Sequence, residues 1–206
     1  DELYIDKEFL VQYAKLFDGF KWCLSNELKE SLIEGAYEAF DFEWCYRGDS
    51  SWFQCPEGNV TWPECFFSNI DYRTGNHCGD IRIIWEVARF QQLVCLAYLV
   101  ASNKCVADSE RALSQFSEQL ESWYRANPPY IGPHYVSVME CALRIVSLSV
   151  ASAYLREASL DQAYWVKISR IIVSHAELIS ERLSLHSSLG NHTLTEWVGL
   201  ILASRV

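Results

Sequence analysis

Residues 79 to 101 read Gly79-Asp80-Ile81-Arg82-Ile83-Ile84-Trp85-Glu86-Val87-Ala88-Arg89-Phe90-Gln91-Gln92-Leu93-Val94-Cys95-Leu96-Ala97-Tyr98-Leu99-Val100-Ala101. Two apolar stripes recur here at helical spacing. One runs through Ile81, Ile84, Trp85, Ala88, Cys95, Leu96 and Leu99, the other through Ile83, Val87, Phe90, Val94 and Tyr98. A helix that is apolar on most faces must be buried on most faces. The spacing therefore predicts a core helix from Asp80 to Ala101. The next segment, Ser109 to Arg125, differs: Leu113, Phe116, Leu120 and Trp123 form one stripe, and Glu110, Arg111, Glu118 and Glu121 form a wet face. Tyr135 to Leu155 is again apolar nearly all round, Asp161 to Leu183 is one-faced, and Leu194 to Ala203 is mostly apolar. Buried and amphipathic helices thus alternate. The buried ones begin near residues 80, 134 and 191, spacings of 54 and 57 residues. That rhythm fits an all-α fold, an incomplete (α/α) toroid of antiparallel helical hairpins, with a plain bundle or solenoid as the competing arrangement.

Working outward towards the N-terminus, Leu3 to Phe17 and Leu28 to Phe40 read as helices, the second with Ser25 or Asn26 as N-cap. From Asp41 to Gly79 the pattern breaks into a long, irregular, aromatic-rich loop punctuated by Gly48, Pro56, Gly58, Pro63, Gly75 and Gly79. The chain divides accordingly into residues 1–79, with N-terminal helices and loop, and residues 80–206, with the hairpin array. Half of its 206 residues are hydrophobic and its net charge is -10. A phosphate binder needs a basic face, so nucleic acid is excluded as a partner class. An acidic glycan could bind only where a local positive field overcomes the global one. The eight cysteines form no C-x-x-C pair. Cys95 and Cys141 read as buried thiols, whereas Cys45, Cys55, Cys65 and Cys78 lie in the loop and could pair in an oxidising compartment. No secretory leader and no charge-free membrane span of about 20 residues is legible.

In an antiparallel hairpin series the core helices all point one way, and their N-termini gather at one rim. Those starts are Gly79-Asp80, Gly132-Pro133-His134-Tyr135 and Gly190-Asn191-His192. Each carries unpaired N–H groups and roughly half a positive charge. Together they make a local anion-attracting rim in an acidic protein. Capping-box spacing occurs at Ser159/Gln162 and at Thr193/Glu196.

Three ordered motifs add a family likeness. Asp80-Ile81-Arg82 followed by Trp85-Glu86-Val87-Ala88-Arg89 resembles the heparinase II/III pattern Asp-x-(Lys/Arg) then Trp-Glu-x-x-Arg. Asn127-Pro128, Gly132 and Met139-Glu140-Cys141-Ala142-Leu143-Arg144 resemble its Asn-Pro…Gly…Met-Glu-x-Ala-x-Arg stretch. Asn191-His192-Thr193-Leu194-Thr195-Glu196 resembles its Asn-His-x-x-x-Glu motif. His134-Tyr135 departs from the Asn-Trp usual in the family, which bears on substrate preference.

The resemblance implies a polysaccharide lyase that cleaves uronic-acid polymers by β-elimination, with no cofactor and no catalytic metal, in the periplasm or outside the cell. The partners it implies are an acidic polysaccharide and a C-terminal remainder of the same enzyme carrying a Tyr acid/base and another His. The fragment alone would then be inactive. By the same resemblance Asn191 neutralises the substrate carboxylate and His192 is its partner. The chemistry suits them: a proton α to a carboxylate is weakly acidic unless the growing enolate charge is stabilised, an Asn amide donates there without titrating, and His exchanges protons near neutral pH. Tyr72, Arg73, Trp85, Arg89, His134 and Tyr135 are the expected sugar contacts, with His77 a further rim residue.

Simpler readings stand beside these. Asn191 could be a helix cap, or with Thr193 a glycosylation sequon, like Asn59-Val60-Thr61. Glu140 and Arg144, at i,i+4, suit an ion pair, as do Glu86 and Arg89. His175 and His186 read as structural. Other functions on the same fold are a non-catalytic carbohydrate-binding or exopolysaccharide-assembly protein, a glycoside hydrolase built on carboxylates such as Asp80 and Glu140, and a helical scaffold.

Overall fold

The computed structural model describes residues 5–17, 19, 21–55, 60–102, 105–186 and 189–206. The chain is 61% helix and 6% strand, an all-α protein. In chain order come α1 (Lys7–Ala14), α2 (Asn26–Ile33), a hairpin of β1 (Ala36–Ala39) and β2 (Phe42–Cys45), then α3 (Ile81–Ala88), α4 (Gln91–Ser102), α5 (Val106–Ala126), α6 (Val138–Leu155), α7 (Gln162–Glu181) and α8 (Asn191–Ala203). Short 3-10 turns occupy Asp49–Trp52, Phe67–Asn69 and Pro133–Tyr135.

Cross-contacts fix the directions of the helices. Arg89 meets Glu140, and Tyr98 stacks edge-on against Tyr154, so α4 and α6 run parallel. Lys167 pairs with Glu121, Arg170 bonds Tyr124 and Tyr130 bonds Glu177, so α5 and α7 also run parallel to each other. His175 lies beside Arg144 and Tyr135, which makes α7 antiparallel to α6. Helix α8 sets out from the end at which α7 finishes, with Gly199 against Ala142 of α6. A Cβ at Gly199 would sit 2.9 Å from the Ala142 Cβ, so glycine is what allows this close approach. Helix α6 is the most enclosed element, as its apolar pattern predicts.

Several local expectations are corrected. The helix expected to run to Phe40 stops at Ile33 because Gly35, at φ +83°, takes the left-handed turn that ends it. Ala36 to Cys45 then forms the antiparallel hairpin, with Ala39 paired to Phe42. Within the expected Leu3–Phe17 helix, residues 1–4 lie outside the described residues, and α1 covers Lys7–Ala14 with Asp6 as its cap. The single helix expected over 80–101 is two. Phe90 breaks it at φ +66°, an uncommon conformation for a non-glycine residue. Its ring is fully buried edge-on against Trp123 (4.8 Å) and Trp52 (6.2 Å), and this aromatic packing offsets the backbone cost.

The 41–79 segment is irregular but packed. Trp44, Trp52, Phe53, Trp62, Phe67 and Ile70 are all buried. The Trp52 ring meets Trp123 of α5, and its Nε1 donates to Ser122 Oγ (3.1 Å). One contiguous core therefore runs from Ile5 to Leu202, and the division at residue 79/80 is a change of local structure inside it. By length and apolarity, 81–102 and 138–155 are each capable of crossing a membrane; here 61% and 72% of them is buried within the protein, and the first is broken at Phe90. The thiols of Cys45, Cys65 and Cys78 are free. Cys141 is buried as expected, and partial burial of Cys95 raises its pKa to about 11.

Candidate functional site

Two polar groupings lie near the starts of α6 and α8, and burial separates them. The first lies beneath the 133–135 turn. Gly132, at φ +93°, places Pro133 at the start of this turn, and its amide donates to the Cys65 carbonyl (2.8 Å). His134 follows and is fully buried, its Nε2–H donating to the Trp52 carbonyl at 2.8 Å. Tyr135 is buried too, and its hydroxyl donates to the Asn127 carbonyl (3.1 Å). Neither side chain reaches the surface to meet a sugar, so the contact expected of them gives way to a packing role. The reason is that the turn folds inward, onto Trp52 and Trp123.

Arg144 lies under this turn with no solvent exposure. The sequence pairs it with Glu140, but the structure does not. Its Nε donates to His175 Nε2 (2.8 Å), one Nη2 bond goes to the His134 carbonyl, and its guanidinium sits 5.4 Å from the Trp123 ring centre. Nη1 has no hydrogen-bond partner among the described residues. Glu140 turns the other way. Both its oxygens accept from Arg89 at 2.8 Å, and Arg89 also pairs with Glu86. Arg89, expected at the sugar, is therefore committed to two carboxylates, and the i,i+3 pair Glu86–Arg89 is as expected.

Burial and the neighbouring Arg144 charge drive the His134 pKa down to about 3, against an opposing contribution from the Trp52 carbonyl. The same two causes hold His175 well below the ordinary imidazole range. Both rings are neutral near pH 7, and the bond from Arg144 Nε requires His175 to carry its proton on Nδ1. Nothing in this cluster is placed to exchange protons with a substrate.

The second grouping is open to solvent. Helix α8 begins at Asn191 with Gly190 as N-cap and no side-chain cap. Asn191 is exposed, and its amide makes no hydrogen bond among the described residues; the cap reading does not hold. His192 is half-buried beside it. Thr193 and Glu196 are not a capping box either. Thr193 Oγ1 donates to the Ser184 carbonyl (3.1 Å), while Glu196, fully buried, accepts from the Ser184 amide (2.8 Å) and hydroxyl (2.6 Å). These bonds tie the α7–α8 connection to α8 and fix where Asn191 starts. Of the two sequons, Asn59 lies outside the described residues.

Elsewhere on the surface, two adjoining clefts share Tyr72 and Arg73. One, of about 420 Å³, is lined by residues 67–73 with Val136 and Arg182; the other, of about 540 Å³, by residues 72–76 and 79–82 with Trp85. Asn76 organises the turn that presents them. Its Nδ2 donates to the carbonyls of Arg73 (2.7 Å) and Gly79 (3.0 Å), and its Oδ1 accepts from the Cys78 amide (2.6 Å). Asp80 caps α3 through the Arg82 amide (2.9 Å) and pairs with the Arg82 side chain, which holds its carboxyl below the usual range. Trp85 donates its indole N–H to the Pro133 carbonyl (3.0 Å), tying α3 to the 133–135 turn.

The structure thus brings Tyr72, Arg73 and Trp85 to adjoining clefts, buries His134 and Tyr135, pairs the half-buried Arg89 with two carboxylates, and leaves Asn191 and His192 outside the lining of both clefts. Arg182 and Asn76 were missed by sequence reasoning. Arg182 looks like any basic residue at a helix C-terminus, and no local signal marks it. Asn76, between two glycines in a turn, carries the ordinary signature of a side chain that bonds its own backbone. Among the described residues no cluster of His, Cys, Asp and Glu could hold a metal ion.

Compared with models of known families, with curated proteins and with solved structures, the chain has no match in any of the three. The likeness to heparinase II/III-type lyases accordingly rests on the three motifs.

Proposed function

We propose that this chain is the helical part of a polysaccharide lyase acting on a uronic-acid-containing polymer by β-elimination, with Asn191 neutralising the substrate carboxylate and His192 beside it. The observation that carries this reading is the state of Asn191. It stands exposed in the first turn of α8, and its side-chain amide is engaged neither in capping nor in any other hydrogen bond among the described residues, while its carbonyl accepts from the Thr195 hydroxyl (2.7 Å). A neutral donor so placed, with helix N–H groups beside it, suits charge that moves onto a carboxylate oxygen as the α-proton leaves.

The parallel α4, α6 and α8, with α5 and α7 antiparallel to them, support an arrangement as part of an (α/α) toroid. So does the exposed stripe Leu194, Trp197, Val198 and Ile201 on α8, at the i, i+3, i+4, i+7 spacing on which a further helix packs. A non-catalytic glycan-binding protein on the same array is the second reading, favoured by the position of Asn191 outside the lining of the Tyr72–Arg73 clefts.

The deciding experiment follows unsaturated uronate by ultraviolet absorbance in the full-length protein, together with substrate affinity and melting temperature, for Asn191→Ala. The lyase reading expects turnover to fall ~10²–10³-fold with little change in binding or melting. Parent-like turnover removes it. Residues 1–206 alone are expected to release little product, since a missing general acid/base costs ~10²–10⁴-fold.

A further inference from the structure

We infer that the cleft between the 67–73 segment and the end of α7 is an anion subsite that takes the carboxylate or sulfate of an acidic oligosaccharide, held by Arg73 and Arg182. Its lining is locally basic. The protein carries a net charge of -10, yet this cleft is lined by two arginines and one carboxylate, Asp71. Neither Arg73 nor Arg182 has a carboxylate within ion-pair distance among the described residues; they share this with Arg47, Arg144, Arg170 and Arg205, and of these six only Arg73 and Arg182 line this cleft.

Arg182 is also positioned. Its guanidinium lies 4.7 Å from the Phe67 ring centre, so one face rests on an aromatic and the edge donors remain for a ligand. Arg73 is set by the Asp71 carboxylate, which accepts its backbone amide (3.2 Å), and by Asn76, which grips its carbonyl. A guanidinium offers a planar fork of donors that matches a carboxylate or sulfate edge. Two such forks without internal partners point to an oxyanion.

Size and aromatic content set the rest of the ligand. The cleft holds about 420 Å³ and adjoins, at Tyr72, the second, with Trp85 on its wall. That is far more room than an isolated ion needs. The Tyr72 ring is half-exposed and common to both clefts, as a platform under a sugar ring would be. The assignment of the ligand as a glycan rests on the lyase reading; the oxyanion geometry stands without it.

The test is calorimetric titration of the chain with hexameric oligomannuronate, hexameric oligogalacturonate, a heparin hexasaccharide, sodium sulfate and neutral cellohexaose. Parent, Arg73→Gln, Arg182→Gln and Lys15→Gln are compared, with melting curves to establish that each is folded. At least one acidic hexamer should bind more tightly than cellohexaose and sulfate, and which one binds tells carboxylate from sulfate. Each arginine variant should weaken it about tenfold, the size of one lost charge-assisted hydrogen bond. A control outside the cleft lining, Lys15→Gln, should bind like the parent. Equal binding of cellohexaose, no binding of any acidic hexamer, or affinity within twofold in both arginine variants overturns the subsite. The two proposals fail separately: unchanged affinity in the arginine variants with turnover lost in Asn191→Ala removes only the subsite, and the converse removes only the lyase mechanism.

Discussion

Arg144 and Arg182 are the same residue type, each at an end where α6 and α7 meet, and the fold uses them in opposite ways. Arg144 is fully buried, with Nε and Nη2 bonded to His175 and the His134 carbonyl and its guanidinium beside the Trp123 ring. Arg182 is exposed, rests on one aromatic ring and faces a cleft. The buried set of Arg144, His134, His175 and Glu140 has the richer chemistry on paper. Most of its hydrogen-bonding groups are nevertheless engaged inside the fold, Glu140 by Arg89 and Arg144 by His175 and the His134 carbonyl, and burial withholds all of them from a ligand. The exposed set of Asn191, Arg73 and Arg182 is plainer, and its donors remain free. Availability of donors separates a structural polar cluster from a candidate site better than residue type does.

The largest effect should come from Arg144→Ala. It strips the His134 carbonyl and His175 Nε2 of their donor and leaves a void beside Trp123. A loss of about 4 kcal/mol is expected, read as a shift of the urea midpoint at constant slope. A shift under ~1 kcal/mol would mean the cluster does not hold the turn. Next is Asn191→Ala, whose predicted ~10²–10³-fold drop in turnover corresponds to about 3 kcal/mol of transition-state stabilisation. The same variant should leave melting nearly unchanged, because Asn191 caps nothing. Early melting with parent turnover would place Asn191 in the structural class with Arg144.

The buried histidines give a pH signature. Both folded-state pKa values lie below the unfolded value near 6.5, so the unfolded chain binds protons first as pH falls. The stability that the neutral rings contribute is complete above about pH 6.5. It declines by roughly 1.4 kcal/mol per pH unit for each histidine below that, down to about pH 3 for His134. Chemical denaturation of parent and His175→Gln between pH 7 and 5 checks this: the variant should lose about half of the slope in that window, and identical slopes would refute it. The smallest effect is Arg182→Gln, expected to change stability by no more than ~0.5 kcal/mol because the side chain is exposed. Destabilisation like that of Arg144→Ala would end the contrast between the two arginines.

Much of the fold was legible locally. Apolar periodicity placed α5, α6 and α7 to within about three residues at each end, because burial on one or several faces leaves a direct trace in the spacing of Leu, Ile, Phe and Trp. Phe90 was opaque, since nothing in an unbroken apolar run says that one ring will wedge between two tryptophans and reverse the local backbone. The hairpin at 36–45 was missed although Gly35 carried the stop signal. Of the candidate site, Tyr72, Arg73 and Trp85 were named from the sequence and line adjoining clefts, while His134, Tyr135 and Arg89 were named and proved buried or already paired.

The sequence by itself determined the helical class, the enclosed α6, the one-faced α5 and α7, and the Gly-marked starts at 132 and 190, because each depends on residues close together in the chain; α8, expected to be enclosed, exposes Leu194, Trp197, Val198 and Ile201 instead. Tertiary structure alone decided which polar groups have partners. Glu140 and Arg144 stand one helical turn apart and still bond outward, to Arg89 from α3 and to His175 from α7. Those partners, 51 and 31 residues away in sequence, are supplied by packing, and a buried charge bonds whatever packing brings within reach. Arg182 stays unpaired among the described residues for the same reason: the fold sets an aromatic ring and a cleft beside it, and none of their carboxylates close enough to pair.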